Sequence, residues 1–75
     1  MNYTMATIKA NGYSVELNAS GNKRYIVLAN ESSGAVVISK HYAWKDGEEM
    51  FWRVARQVVE LMHGWSDWVE MLEAK

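Results

Sequence analysis

The apolar positions of this chain recur with a period of two up to about residue 44 and with a period between three and four after it. Ala6, Ile8 and Ala10 alternate with Thr7 and Lys9, and Tyr13, Val15 and Leu17 alternate with Ser14 and Glu16. Between these runs lies Asn11-Gly12, a pair that tolerates the positive φ of a type I′ turn, so residues 3–18 are predicted to form a hairpin. That turn sets Ala10 opposite Tyr13, Ile8 opposite Val15 and Ala6 opposite Leu17, all on one face. The other face then holds Lys9 with Ser14, Thr7 with Glu16 and Met5 with Asn18. A slip by one residue would mix the two sets, so turn chemistry and patterning agree on the register.

Ala19-Ser20-Gly21-Asn22 reads as a second turn, followed by a third strand from Arg24 to Ala29. Tyr25, Ile26, Val27 and Leu28 are continuously apolar, as in a strand touched on both faces. After a third turn from Asn30 to Gly34, residues Ala35 to Trp44 alternate as a fourth strand.

From Asp46 to Gly64 the pattern is that of a long amphipathic helix. Asp46 is the expected N-cap, Glu49 completes a capping box, and Gly64 is the expected left-handed terminator. His63 falls in the last turn. Phe51, Ala55, Val58 and Met62 fall on one line; Val54 and Leu61 widen it on one side, Trp52 and Val59 on the other. The predicted apolar arc is roughly 200°, wider than the ~100° stripe of an ordinary surface helix. Glu49, Arg53, Arg56, Gln57 and Glu60 form the polar face. A second, short helix is expected from Ser66, with Trp65, Trp68, Val69 and Leu72 at helical spacing. About two turns long, it needs to dock in order to persist. The predicted architecture is one α+β domain over residues 1–75: a four-stranded antiparallel meander, the long helix on one face, and the short C-terminal helix.

Composition narrows the picture. A chain of 75 residues buries only about 60% of its unfolded surface. With no cysteine it has no disulfide to help, so cohesion rests on packing, and association with another copy would add to it. No apolar run reaches the length of a signal peptide or membrane span, so a cytoplasmic protein is expected, without a membrane association. The net charge of −1 conceals a division. Residues 1–45 carry five bases against two acids, and residues 46–75 carry three bases against seven acids. A sheet and its helical cover would therefore differ in sign.

Catalytic chemistry finds no foothold. His41 and His63 lie on different predicted elements without acids or cysteines at metal-ligand spacing, and Ser32-Ser33-Gly34 is a turn rather than a phosphate loop. No cofactor, metal or small-molecule substrate is implied, and an enzyme is not expected.

Two surfaces remain. Trp52, Trp65 and Trp68, with Met62 and Met71, either fill the core or present an anchor. Trp52 and Arg56, one turn apart beside His63, would make one binding patch; Trp68 with Asp67, Glu70 and Glu73 would meet a basic partner. The sheet face opposite the helix, around Tyr25 and Val27, is the expected self-association surface of a homodimer.

The order of elements, with Tyr13-Ser14-Val15-Glu16-Leu17, Val36-Val37-Ile38-Ser39 and a helix closing at Gly64-Trp65 before an acidic tail, resembles the small phage and mobile-element anti-CRISPR inhibitors of Cas9. That resemblance implies a stoichiometric inhibitor of a host nucleic-acid enzyme. The function expected is therefore a non-enzymatic protein-binding module, an inhibitor or regulator of this kind. The alternative is a nucleic-acid-binding domain that uses Lys9, Lys23, Arg24 and Lys40 on the sheet, with Tyr25 or Tyr42 stacking on bases.

Overall fold

The computed structural model describes residues 2–62 and 64–73. Four antiparallel strands, β1 (Asn2–Ala10), β2 (Tyr13–Ser20), β3 (Lys23–Asn30) and β4 (Val36–Ala43), lie in sequence order in one sheet. Helix α1 (Trp44–Glu60) covers one face, and α2 (Trp65–Glu73) packs beside it. The fold is the α+β meander with a long helical cover and a short C-terminal helix that the patterning predicts.

The first hairpin has the expected register from Ala10↔Tyr13 to Ala6↔Leu17. Asn11 and Gly12 both have positive φ, 53° and 85°, as a type I′ turn requires. Beyond Ala6 the expectation fails. Asn18 pairs with Thr4 rather than Met5, because Met5 is accommodated as a bulge. β4 likewise shifts register at Val37, between Ile38 opposite Leu28 and Val36 opposite Ala29. Both free edges of the sheet are therefore interrupted, and each carries a lysine, Lys9 or Lys40, which discourages strand addition. The second turn is tighter than expected, since β2 runs on to Ser20 and only Gly21 and Asn22 connect it to β3.

Alternation along the strands sends Val15, Leu17, Ala19, Ile26, Leu28 and Tyr42 inward. On α1 the buried residues are Gly47, Met50, Phe51, Val54, Ala55 and Val58, a stripe at three- and four-residue spacing. Side chains such as Phe51 and Ile26 are fully buried, each contributing about 1.5–3 kcal/mol by removal from water. A sheet meets only one side of a cylinder, so the wide arc read from the sequence is not all covered. Trp52 and Val59 are more than half exposed.

The ends of α1 also differ from expectation. It starts at Trp44, which the sequence pattern assigns to β4, and Ala43 rather than Asp46 is the N-cap residue. The Trp44 N–H bonds instead to the carbonyl of Asn22 in the second turn, at 3.2 Å. At the other end Leu61, not Gly64, takes the left-handed conformation, with φ 52°. The N–H groups of Leu61 and Met62 return to the carbonyls of Val58 and Gln57, which is the Schellman pattern. Because the helix stops there, Leu61 and Met62 leave its buried face and lie about 60% exposed. The last-turn expectation for His63 lies outside the described residues.

The two turns hold α1 at opposite ends. Asn11 donates its side-chain amide to Val58 and Val59 at the C-terminus, and Asn22 receives Trp44 at the N-terminus. The helix thus runs antiparallel to β2. Its seventeen residues and the eight of β2 correspond to similar lengths of about 25–27 Å.

Candidate protein-docking surfaces

The sequence-predicted contact residues separate into four places. Trp52 and Arg56 stand on the outer side of α1. Glu70 stands on α2, in a different cleft. His63 lies outside the described residues. Trp68 is no anchor: it is 2% exposed, held between Tyr13, whose ring meets it edge-on at 5.1 Å, and Trp65 at 5.8 Å. Docking of α2 puts its Trp68 and Leu72 inward, a choice of face that two turns of sequence leave open.

The outer groove of α1 is lined by Trp52, Arg53, Arg56, Gln57, Glu60 and Met62. Its charges are balanced. Arg53 lies 3.6 Å from Glu49, and Arg56 lies 3.6 Å from Glu60, both pairs largely in solvent. The Gln57 side-chain oxygen is buried and accepts no hydrogen bond. Met62 enters this surface against expectation, and the left-handed turn at Leu61 is the reason.

The cleft along α2 has a different character. Trp65 and Val69 sit one turn apart at its base, with Ser66, Glu70 and Glu73 along the side. Trp65 stacks on Tyr13 at 4.8 Å, so this wall is fixed by the core. The surface is mainly apolar, its rim carries two carboxylates, and among the described residues its lining contains no base. The acids stand beside Trp65 and Val69 rather than beside Trp68, and the i,i+4 spacing of Trp65 and Val69 is the signal in the sequence for this cleft.

The open face of the sheet is largely polar. One cross-strand row is Thr7, Glu16, Val27 and Ser39; the next is Thr4, Asn18, Tyr25 and His41. Tyr25 and Val27 are both partly buried there, and the Tyr25 ring lies against His41 at 3.9 Å. Shallow clefts flank Tyr25, one with Tyr3 and Asn18, the other with Ser39, Lys40 and His41. No continuous apolar patch surrounds Val27.

Among the described residues, no group of three or more His, Cys, Asp or Glu is placed to hold a metal ion. No described helix is long and apolar enough to cross a membrane. Burial raises the pKa of Tyr42 above the usual phenol value, and its hydroxyl donates to the Leu72 carbonyl. Searches against family models, curated proteins and solved structures return no match to this chain.

Proposed function

We propose that this chain is a non-catalytic protein-binding module, an inhibitor or regulator that captures a basic segment of its partner in the cleft along α2. One observation carries this reading: an apolar floor of Trp65 and Val69 beside Glu70 and Glu73, with no basic residue in the lining among the described residues. An apolar anchor entering such a cleft loses its water, and Lys or Arg at the rim answers the two carboxylates. A cleft of one charge sign rejects acidic partners as well as attracting basic ones. It also disfavours a second copy in the same cleft, because that would oppose carboxylate to carboxylate.

Two synthetic amphipathic peptides test this, identical in their apolar residues and flanked either by Lys/Arg or by Glu. The basic peptide is expected to bind with micromolar affinity and to weaken as salt screens the rim. The double substitution Glu70→Lys, Glu73→Lys is expected to cost it about tenfold or more. Equal binding of both peptides, or of neither, overturns the proposal. Capture from lysate with wild-type and doubly substituted protein then identifies the natural partner as the species retained only by the former.

A further inference from the structure

We infer that the open face of the sheet binds single-stranded nucleic acid, with a nucleobase seated beside Tyr25 and hydrogen-bonded to Asn18. The site is a cross-strand row: Asn18 on β2, Tyr25 on β3 and His41 on β4 stand side by side. Tyr25 is common to two clefts of this face, one reaching Tyr3, Thr4 and Asn18, the other Ser39, Lys40 and His41. Its ring rests against that of His41 at 3.9 Å. An aromatic ring held on a central strand, with polar neighbours on both sides, is a platform on which a nucleobase stacks.

Asn18 supplies an independent sign. Its side-chain Oδ1 is buried and accepts no hydrogen bond among the described residues. A buried acceptor without a donor costs free energy, and an N–H of a ligand entering the cleft satisfies it. Every nucleobase except a thymine or uracil held by its outer edge offers an amino or ring N–H there. The asparagine amide pairs at two points with the N6 and N7 edge of adenine, so adenine is the nucleobase expected beside Asn18.

A peptide also carries N–H donors, and the charges decide against it. Lys23 lies two residues from Tyr25 on the same face, Lys40 lines the second cleft, and Lys9 lies further along the sheet. Glu16 is the one acid on the four strands, among the described residues. The seven acids of residues 46–75 all belong to α1 and α2, and α1 covers the other face. A chain of phosphates is therefore drawn to the open face and kept off the helices. Arg24 and Tyr42 are buried on the helical side and take no part. A nucleobase has to leave its stack to reach Tyr25, which makes the ligand single-stranded. The α2 cleft stays free when this face is occupied.

Fluorescence anisotropy tests the inference, with circular dichroism as the check on folding of each variant. The probes are labelled oligoadenylate and a labelled pyrimidine strand, each of about eight nucleotides and each made as RNA and as DNA. Oligoadenylate is expected to bind with a Kd in the tens of micromolar and more tightly than the pyrimidine strand. It should weaken about sevenfold as salt rises from about 50 to about 200 mM, the slope for two phosphate contacts. Binding of RNA, of DNA or of both supports the inference, and their ratio reports any contact to the 2′-hydroxyl. Tyr25→Leu should weaken binding about fivefold or more, Tyr25→Phe less than about twofold, and Asn18→Leu should abolish the preference for adenine. In the wild type, amide shifts on titration with oligoadenylate should centre on Asn18, Tyr25 and His41, a map that decides the matter should Tyr25→Leu not fold. Absence of binding at about 500 μM protein, equal binding of a duplex, or shifts centred elsewhere overturns the inference. So does a folded Tyr25→Leu that binds like the wild type, or an adenine preference that is absent or survives Asn18→Leu.

Discussion

The side-chain amide of Asn11 donates to the carbonyl of Val58 at 2.8 Å and to that of Val59 at 3.1 Å. A residue in the first hairpin turn therefore serves the last turn of a helix 47 positions later. The last turn of α1 contains no basic residue to satisfy those carbonyls, so the turn supplies the donor. Asn11 also holds φ at 53°, which few residues accept.

These two roles separate by substitution. Asn11→Gly keeps the left-handed turn and removes the donor, for an expected loss of about 1 kcal/mol. Asn11→Ala removes the donor and adds the left-handed penalty, for about 2–3 kcal/mol in total. Urea denaturation should rank wild type, Gly and Ala in that order. Equal losses for Gly and Ala would show that the amide contact contributes everything and the turn nothing.

A second prediction concerns the other end of α1. Arg24 is only 9% exposed, and its Nη1 donates to the carbonyls of Gly21 and Lys23. Its Nε lies 3.5 Å from Glu48, and Glu48 also accepts the indole N–H of Trp44 at 2.9 Å. Removing Glu48 leaves a largely buried cation without its carboxylate, whereas Glu49 and Glu60 serve pairs in solvent. Glu48→Ala is expected to cost about 1–3 kcal/mol, and Glu49→Ala about 0.5 kcal/mol or less. Similar small losses for both would place Arg24 in contact with water.

What the sequence disclosed follows from how local each determinant is. Asn11-Gly12 and the alternation on either side lie within a few residues of each other, and they yielded the hairpin register as far as Ala6. The long helix announced itself through repeated spacing, and so did the exposure of Arg53 and Arg56. Its ends did not, because their partners are remote: Asn22 receives the Trp44 N–H, and Asn11 reaches Val58. Given those contacts, neither Asp46 nor Gly64 is needed as a cap. The burial of Trp68 is hidden from the sequence for a related reason. The rotation of a two-turn helix is decided by what it docks against, here Tyr13 and the core, and not by its own pattern.

Gly47 gives a third prediction, one that runs against helix propensity. Alanine is favoured over glycine inside a helix by about 1 kcal/mol. At this position, however, an added Cβ would stand 2.5 Å from the Arg24 Cβ, 3.1 Å from its Cγ and 3.2 Å from the Tyr42 Cβ. The first of these is tied to the backbone of β3 and cannot swing aside, so the start of α1 must lift from the sheet. Gly47→Ala is expected to destabilise by a net ~1–3 kcal/mol, read from the urea midpoint. A stabilised variant would mean that the helix start is free to move away at little cost.

The last prediction links stability to pH through Tyr42, whose hydroxyl joins β4 to α2 by donating to the Leu72 carbonyl. Burial disfavours the phenolate, so the folded protein holds this proton more tightly than the unfolded chain. Below the ordinary phenol pKa of about 10 both states keep the proton, and the contribution is constant. Above it, the unfolded chain gives up the proton first, and stability falls as pH rises toward and past the raised folded value. Tyr42→Phe removes the titrating group and leaves the Leu72 carbonyl unpaired, at an expected cost of about 1 kcal/mol near neutrality. Wild type and variant differ at this one group, so the difference between them isolates Tyr42. That difference should be level between about pH 6 and 9 and shrink above about pH 10. Hydrogen exchange in α2 should accelerate over the same alkaline range in the wild type, because loss of this proton removes the donor that holds Leu72. A difference that stays level above pH 10 would show that the hydroxyl is not what secures α2 to the sheet.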